Sequence, residues 1–426
     1  MRIYRYSAAL LASLAFTGVA GAQTIAITGG KVYPVSGPAI ENGIVVIRDG
    51  KIIAVGANVS VPSDATRIDA TGKWVTPGLV NASTSLGLVE ISQESQTRDE
   101  SAEGKDHVAA SFTVWEGLNT TSVMFAPARE DGVTSVAVLP SGGLISGQAA
   151  FLDLVDGTVT DMVLKAPIAM VATIGDKGSA GVSSRGELLG KLREVLDDAK
   201  TYRTRKADFE RAQTRPFAAT RLDLEALAPV LDGRLPLMVR VDKASDIDAA
   251  LKLAKDYNLK MIINGGAEAW MLADRIAEAK VPVLTGAMNN IPGSFATLGA
   301  RQENAGLLRT AGVTVVLIGN GPGDGETFNV RNIRQEAGNA VAYGMTWDDA
   351  LRAITLGPSE LFGLGDRVGT LQVGRAANVV VWSGDPFELR TVPEHVFLRG
   401  KEVTRSSRQD QLTDRYKTLP PDYKKP

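Results

Sequence analysis

Apolar and polar residues alternate in short runs at both ends of the chain, and the apolar spacing turns helical in between. Near the start, 24–28 (Thr-Ile-Ala-Ile-Thr), 43–47 (Gly-Ile-Val-Val-Ile) and 52–56 (Ile-Ile-Ala-Val-Gly) read as strands. Asp49-Gly50 sits between the last two, and an Asp-Gly pair flanked by β-branched runs predicts a two-residue hairpin turn. Strand patterning returns at 369–382 and at 395–398, with a further turn at Arg399-Gly400-Lys401. Two β-rich ends around a different middle predict one small sandwich built from both termini.

The middle, 76–365, alternates helix and strand. Ser184 to Glu187 is a capping-box pattern, followed by Leu188, Leu189, Leu192, Val195 and Leu196 at helical spacing. Strands are predicted at 235–239, 260–263, 281–284 and 312–318, with helices at 247–253 and 267–279 and another starting at Thr346. A repeat of about 25–35 residues fits an α/β (β/α)8 TIM-like barrel, whose functional groups project from the C-terminal ends of the strands.

Composition narrows the chemistry. The chain has 426 residues, 44% hydrophobic and 22% charged, enough apolar material for a large core. Lys+Arg 46 against Asp+Glu 48 gives a net charge of −2, which offers no electrostatic case for nucleic acid or an anionic membrane. There is no Cys, so disulfides, thiolate metal sites and thiol nucleophiles are excluded. There are only 2 His, so a site of three imidazoles is excluded too.

The first 22 residues carry a leader pattern: Arg2 and Arg5, an apolar stretch from Ala8 to Val19, then Ala20-Gly21-Ala22. The stretch is short of the roughly 20 residues a membrane span needs. Cleavage after Ala22 is expected, giving a secreted protein, periplasmic in a Gram-negative cell, with no membrane span left. The expected organisation is 1–22 leader, 23–75 sandwich, 76–365 barrel, 366–404 sandwich and 405–426 polar tail. The tail is expected to be disordered or to hug the surface, and the basic stretch from Lys200 to Arg215 is expected to be a solvated helix face.

Four segments stand out: Trp74 to Asn81 (WVTPGLVN), Glu130 to Ser135 (EDGVTS), Ala353 to Leu364 (AITLGPSELFGL) and Val368 to Trp382. Together they resemble motifs of the amidohydrolase superfamily, in particular its imidazolonepropionase-like members. The resemblance implies the barrel-plus-sandwich fold and hydrolysis of carbon–nitrogen bonds. It also implies zinc or another divalent metal, which ionises a bound water and polarises the scissile carbonyl.

The residues at the implied ligand positions differ from that pattern. The His-x-His pair falls on Ser83 and Ser85, and the strand-five His on Arg240 or, one register away, Asp242. The strand-six His falls on Asn264, and the strand-eight Asp on Asn320. Hydroxyls are poor substitutes for imidazole, a guanidinium is a permanent cation, and an amide cannot act as a base at neutral pH. His107, in the polar stretch over the barrel mouth, and His395, on a sandwich strand, read as ordinary surface or sandwich histidines. An oxygen-only site from Asp242, Glu268 and Asp324 is the remaining metal option. No cofactor is expected.

The expected site is a polar mouth lined by Ser83, Ser85, Arg240, Asp242, Lys243, Asn264 and Asn320, next to a pocket-lining loop at 140–148. In one reading it binds a small polar or anionic ligand, with Arg240 as the carboxylate clamp. In the other, an ion pair of Arg240 with Asp242 or with other acids simply fills the volume left by the metal. The expectation is an exported, catalytically silent or weakly active homologue that binds a ligand. It would act as a homodimer or pair with a metal-bearing relative. The alternative is an active hydrolase of C–N bonds, in a cyclic amide or dipeptide, with an atypical site; a third reading is a metal-free enzyme with Asp242 as base and Arg240 as electrophile.

Overall fold

Period-two burial organises two sheets. A computed structural model describes residues 24–175, 180–288, 290–319, 327, 329–404 and 408–417; the expected leader and Asn320 lie outside them. The first sheet takes β1 Ile25–Val32, β2 Ile40–Arg48, β3 Lys51–Gly56, β4 Thr66–Asp69 and β5 Trp74–Pro77 from one end of the chain. The second takes β6 Leu79–Thr84, β7 Val133–Val138, β8 Ile145–Asp153, β9 Val163–Thr173, β10 Leu237–Val241, β11 Met261–Gly265, β12 Val283–Thr285 and β13 Val315–Leu317. From the other end, β14 Val379–Trp382, β15 Pro393–Leu398 and β16 Lys401–Glu402 complete the first sheet.

The first sheet runs β16-β15-β14-β5-β1-β2-β3, with β4 also paired to β1. It curls until β3 meets the segment before β14: Ile52 N–H donates to Arg375 O at 3.0 Å, and Gly374 N–H returns to Ile52 O at 2.8 Å. Alternation along β14 shows why both faces are filled. Val379 and Val381 join the sandwich core with Ile27, Ile47 and Phe397, while Val380 and Trp382 join the barrel's outer core.

Asp49 and Gly50 both have positive φ, 52° and 73°, as the predicted turn requires. Gly50 is held twice over, since a Cβ there would lie 2.9 Å from Arg399 O. Gly50→Ala is expected to cost about 1–2 kcal/mol, read from urea unfolding midpoints.

The second sheet is the expected eight-stranded barrel, ordered β6 through β13 in sequence. Its third strand departs from a regular βα repeat. β8 pairs antiparallel with both β7 and β9, and the remaining ladders are parallel. Residues 145–148, expected in a pocket-lining loop, therefore belong to β8.

The helix Arg185–Thr204 begins as predicted, with Ser184 Oγ accepting from Glu187 N–H at 3.2 Å. The returning Glu187 carboxylate takes Ser183 N–H at 2.9 Å instead of that of Ser184. The basic stretch is solvated and self-neutralised: Arg205 and Arg211 both pair with Asp208, and Lys206 pairs with Glu225. In the tail, Arg408–Tyr416 forms a helix.

Candidate functional site at the barrel mouth

Alternation along the barrel strands decides what faces the axis. Val171, Met238, Ile262, Leu284 and Val316 fill the interior, whereas Ala172, Val239, Val241 and Ile263 face outward into the helix layer. Two residues beyond each interior position at the C-terminal end come Thr173 on β9, Arg240 on β10 and Asn264 on β11. All three point inward by the same period. Strand register sets them abreast, with Arg240 paired to Thr173 on one side and to Asn264 on the other. They form a polar row above an apolar plug.

Ser83 and Asn264 meet across the barrel. Asn264 Nδ2 donates to Ser83 Oγ at 3.1 Å and also lies 3.6 Å from Met238 Sδ. Both residues are buried, at 5% and 7% exposure. Asn81 holds the strand beneath: its Oδ1 accepts from Ser83 N–H at 3.1 Å, and its Nδ2 donates to Val330 O. Ser85 Oγ lies 2.8 Å from Thr327 Oγ1.

No ion pair joins Arg240 to Asp242, which corrects that one pairing of the volume-filling reading. Asp242 is drawn sideways to the loop after β11, where its Oδ1 accepts from Ala267 N–H at 3.2 Å. Gly265, at φ +105°, makes room for it, because a Cβ there would lie 2.6 Å from that oxygen. Arg240 is partly buried, and among the described residues no hydrogen bond or ion pair reaches its guanidinium. Burying a charge without a partner is costly, so an open guanidinium in a polar row is positioned to receive an anion.

Of the oxygen-only metal set, the described residues show Glu268 and Asp242. Glu268 is buried and already engaged: Oε2 takes Ala244 N–H at 2.9 Å, and Oε1 takes Gly299 N–H at 2.8 Å. It fastens two loops of the rim. Asp324 lies outside the described residues. Lys243 precedes the helix Ala244–Tyr257, and its backbone carbonyl receives Asp246 and Ile247 N–H.

His395 pairs with Glu402, Nδ1 to Oε1 at 2.6 Å, on the sandwich. His107 has a positive φ of 64°, and its imidazole packs against Gly181 in the loop after β9, where any side chain would collide with it.

Burial pushes the Asp242 carboxyl above the usual carboxylate range; the Ala267 N–H opposes the rise and the Glu268 charge adds to it. A carboxyl raised on folding favours the folded state below its unfolded pKa, and that advantage is lost as pH rises through the folded value. Asp242→Asn is therefore expected to raise the neutral-pH melting temperature over the parent. The gain should shrink as pH falls through the raised value toward the ordinary one, as a series of thermal melts would show.

Among the described residues the mouth offers a divalent cation few free lone pairs. A divalent cation needs lone pairs. Ser83 Oγ is occupied by an amide N–H, Arg240 brings only N–H donors and a positive charge, and Glu268 is spent on backbone groups. Among the described residues, no group of three or more His, Asp or Glu side chains could hold an ion.

Comparisons with known proteins converge on one family. The amidohydrolase family profile matches residues 258–403. An imidazolonepropionase of Mesorhizobium japonicum is 25% identical over 378 residues, covering 80% of this chain and 87% of its own. The amidohydrolase tasK of Hapsidospora irregularis is 22% identical over 392 residues; the match covers 85% of this chain but only 39% of that much longer protein. Among solved structures, an amidohydrolase from Thermotoga maritima superposes with a TM-score of 0.80 at 27% identity, covering 90% of this chain and 100% of that one. The profile, the relatives and the solved structures support the amidohydrolase superfamily, with imidazolonepropionase-like homologues.

Sequence reasoning found Ser83, Ser85, Arg240, Asp242 and Asn264 at the mouth. It missed Thr173, which two-residue alternation from Val171 marks as inward, and Thr327, for which no local pattern exists.

Proposed function

We propose that this chain is an exported amidohydrolase-fold protein whose barrel mouth binds a small polar or anionic ligand in place of metal-assisted hydrolysis. The observation that carries this reading is the row Thr173–Arg240–Asn264, with the Arg240 guanidinium without a partner among the described residues. Such a row solvates negative charge. A guanidinium fork matches a carboxylate through two parallel hydrogen bonds. Export rests on the leader pattern, and mass spectrometry of the mature protein should find Gln23 first. No helix among the described residues is long and apolar enough to cross a membrane.

The direct test is calorimetric titration of the purified protein with short carboxylates, including propionate and glutarate. Saturable binding that Arg240→Ala removes supports the proposal; equal binding by parent and variant sinks it.

A second reading, an active hydrolase of C–N bonds by an atypical route, draws on the names of the relatives and on Asp242, whose second carboxylate oxygen has no partner among the described residues. Turnover of an imidazolone or cyclic amide that survives Asp242→Asn would remove that residue's role as base. Self-association or pairing with a metal-bearing homologue also belongs to this proposal. Phe295, 87% exposed, stands with Ile291 and Leu298 on the rim loop after β12, the kind of apolar exposure that protein contacts cover. Analytical ultracentrifugation of the parent against Phe295→Ser reads it directly.

A further inference from the structure

From the separation of Arg240 and Asp242 we infer that the mouth takes a zwitterion, an α-amino acid or a ligand ending in one, with its carboxylate on Arg240 and its ammonium on Asp242. This rests on the proposed anion-binding mouth and specifies the ligand class.

Arg240 and Asp242 are two residues apart at one strand end and carry opposite charges, yet they do not pair. Two residues of strand set their Cα atoms about 6–7 Å apart, a spacing easily bridged by two such long-reaching polar side chains. The fold prevents the pairing by other means. Ala267 N–H claims Asp242 Oδ1, and the absence of a Cβ at Gly265 gives that carboxylate its seat. Oδ2 is left over, and no hydrogen bond or ion pair reaches the guanidinium among the described residues. One positive and one negative group are thus held open side by side at the same rim.

A simple anion would satisfy Arg240 but would face the Asp242 charge at close range, which costs affinity. A simple cation would meet the reverse problem. A ligand bearing both charges a few ångströms apart satisfies each group with a charge-assisted hydrogen bond. Neighbouring groups extend the match. Asn264, abreast of Arg240, has its Nδ2 turned to Ser83, which leaves its Oδ1 as an acceptor for a further ligand N–H. Thr173, on the other side of Arg240, offers a hydroxyl that donates or accepts. The apolar floor of Met238 and Val171 beneath them leaves little for a strongly hydrated side chain, so an amino acid with an apolar side chain is the expected preference.

The test uses the full mature chain and calorimetric titration with each of the twenty standard L-amino acids. The tightest is then compared with two matched probes: the same skeleton without its amino group, and the same skeleton without its carboxylate. The expected result is an amino acid bound at least tenfold tighter than its deamino acid, with the decarboxylated amine weaker still. Asp242→Asn should erase the tenfold preference while retaining the carboxylic acid's own affinity, and Arg240→Gln should remove both. Circular dichroism of each variant confirms that it is folded. Equal affinity for the amino acid and its deamino acid overturns the zwitterion and leaves the carboxylate clamp standing. No binding of any carboxylate or amino acid overturns both.

Discussion

Arg240→Ala is expected to weaken binding of a carboxylate ligand by roughly two orders of magnitude, the usual cost of truncating one partner of a desolvated charge pair. Arg240→Lys should recover only part of that, because an ammonium keeps the charge but loses the fork. The same Ala variant should melt at a higher temperature than the parent when no ligand is present. The folded protein carries a partly buried guanidinium with no counter-charge among the described residues, and removing it relieves an unfavourable burial. Weaker binding together with higher stability distinguishes a ligand-binding group from a structural one. A structural Arg240 would lose stability on truncation. Calorimetric titration and a thermal melt on the same preparation read both.

Asp153→Ala is expected to cost about 2–4 kcal/mol of stability, the size expected when two buried donors lose their acceptor. Asp153 is fully buried at the end of β8, where three donors converge on it. Ser135 Oγ donates at 2.7 Å, Asn378 Nδ2 at 3.2 Å and Arg399 Nε at 2.8 Å. The first is a barrel residue; the other two belong to the C-terminal part of the sandwich. Asn378 Oδ1 also takes Arg399 N–H at 2.9 Å, so the arginine is fixed by backbone as well as side chain. Truncation leaves Ser135 and Asn378 as buried donors without acceptors, each with its own penalty. Asp153→Asn keeps the shape and loses the charge, and should fall between the parent and Ala in guanidinium unfolding midpoints. The network fastens the C-terminal part of the sandwich to the barrel away from the mouth, so ligand affinity should survive in whatever fraction stays folded.

The fold was legible where local chemistry and the tertiary answer agree. Asp49-Gly50 needs two positive φ angles and has them, and Thr346 caps its helix by accepting from Asp349 N–H. The fully buried runs at 237–241 and 261–265 have no periodicity of their own, but their spacing marks them as parallel barrel strands. β8 escaped because Pro140-Ser141-Gly142-Gly143 punctuates the chain just before it. The run that follows is buried on both faces, so alternation cannot show its direction.

At the site, sequence reasoning identifies which residues stand at the mouth and not how they pair. Arg240 and Asp242 look like a ready ion pair on the page. Ala267 and Gly265, from the next strand's loop, decide otherwise. Likewise, Ser85 finds its partner 242 residues away at Thr327. Glu268 resembles a spare carboxylate until the N–H groups of Ala244 and Gly299 are counted against it.

The barrel mouth is proposed to receive negative charge and not a metal ion. Elemental analysis of the purified mature protein, after incubation with zinc and exhaustive dialysis, tests it most directly. The account predicts well under one zinc per chain and no change on substituting Ser83 or Asn264. One tightly retained ion per chain, lost in Ser83→Ala or Asn264→Ala, would contradict it.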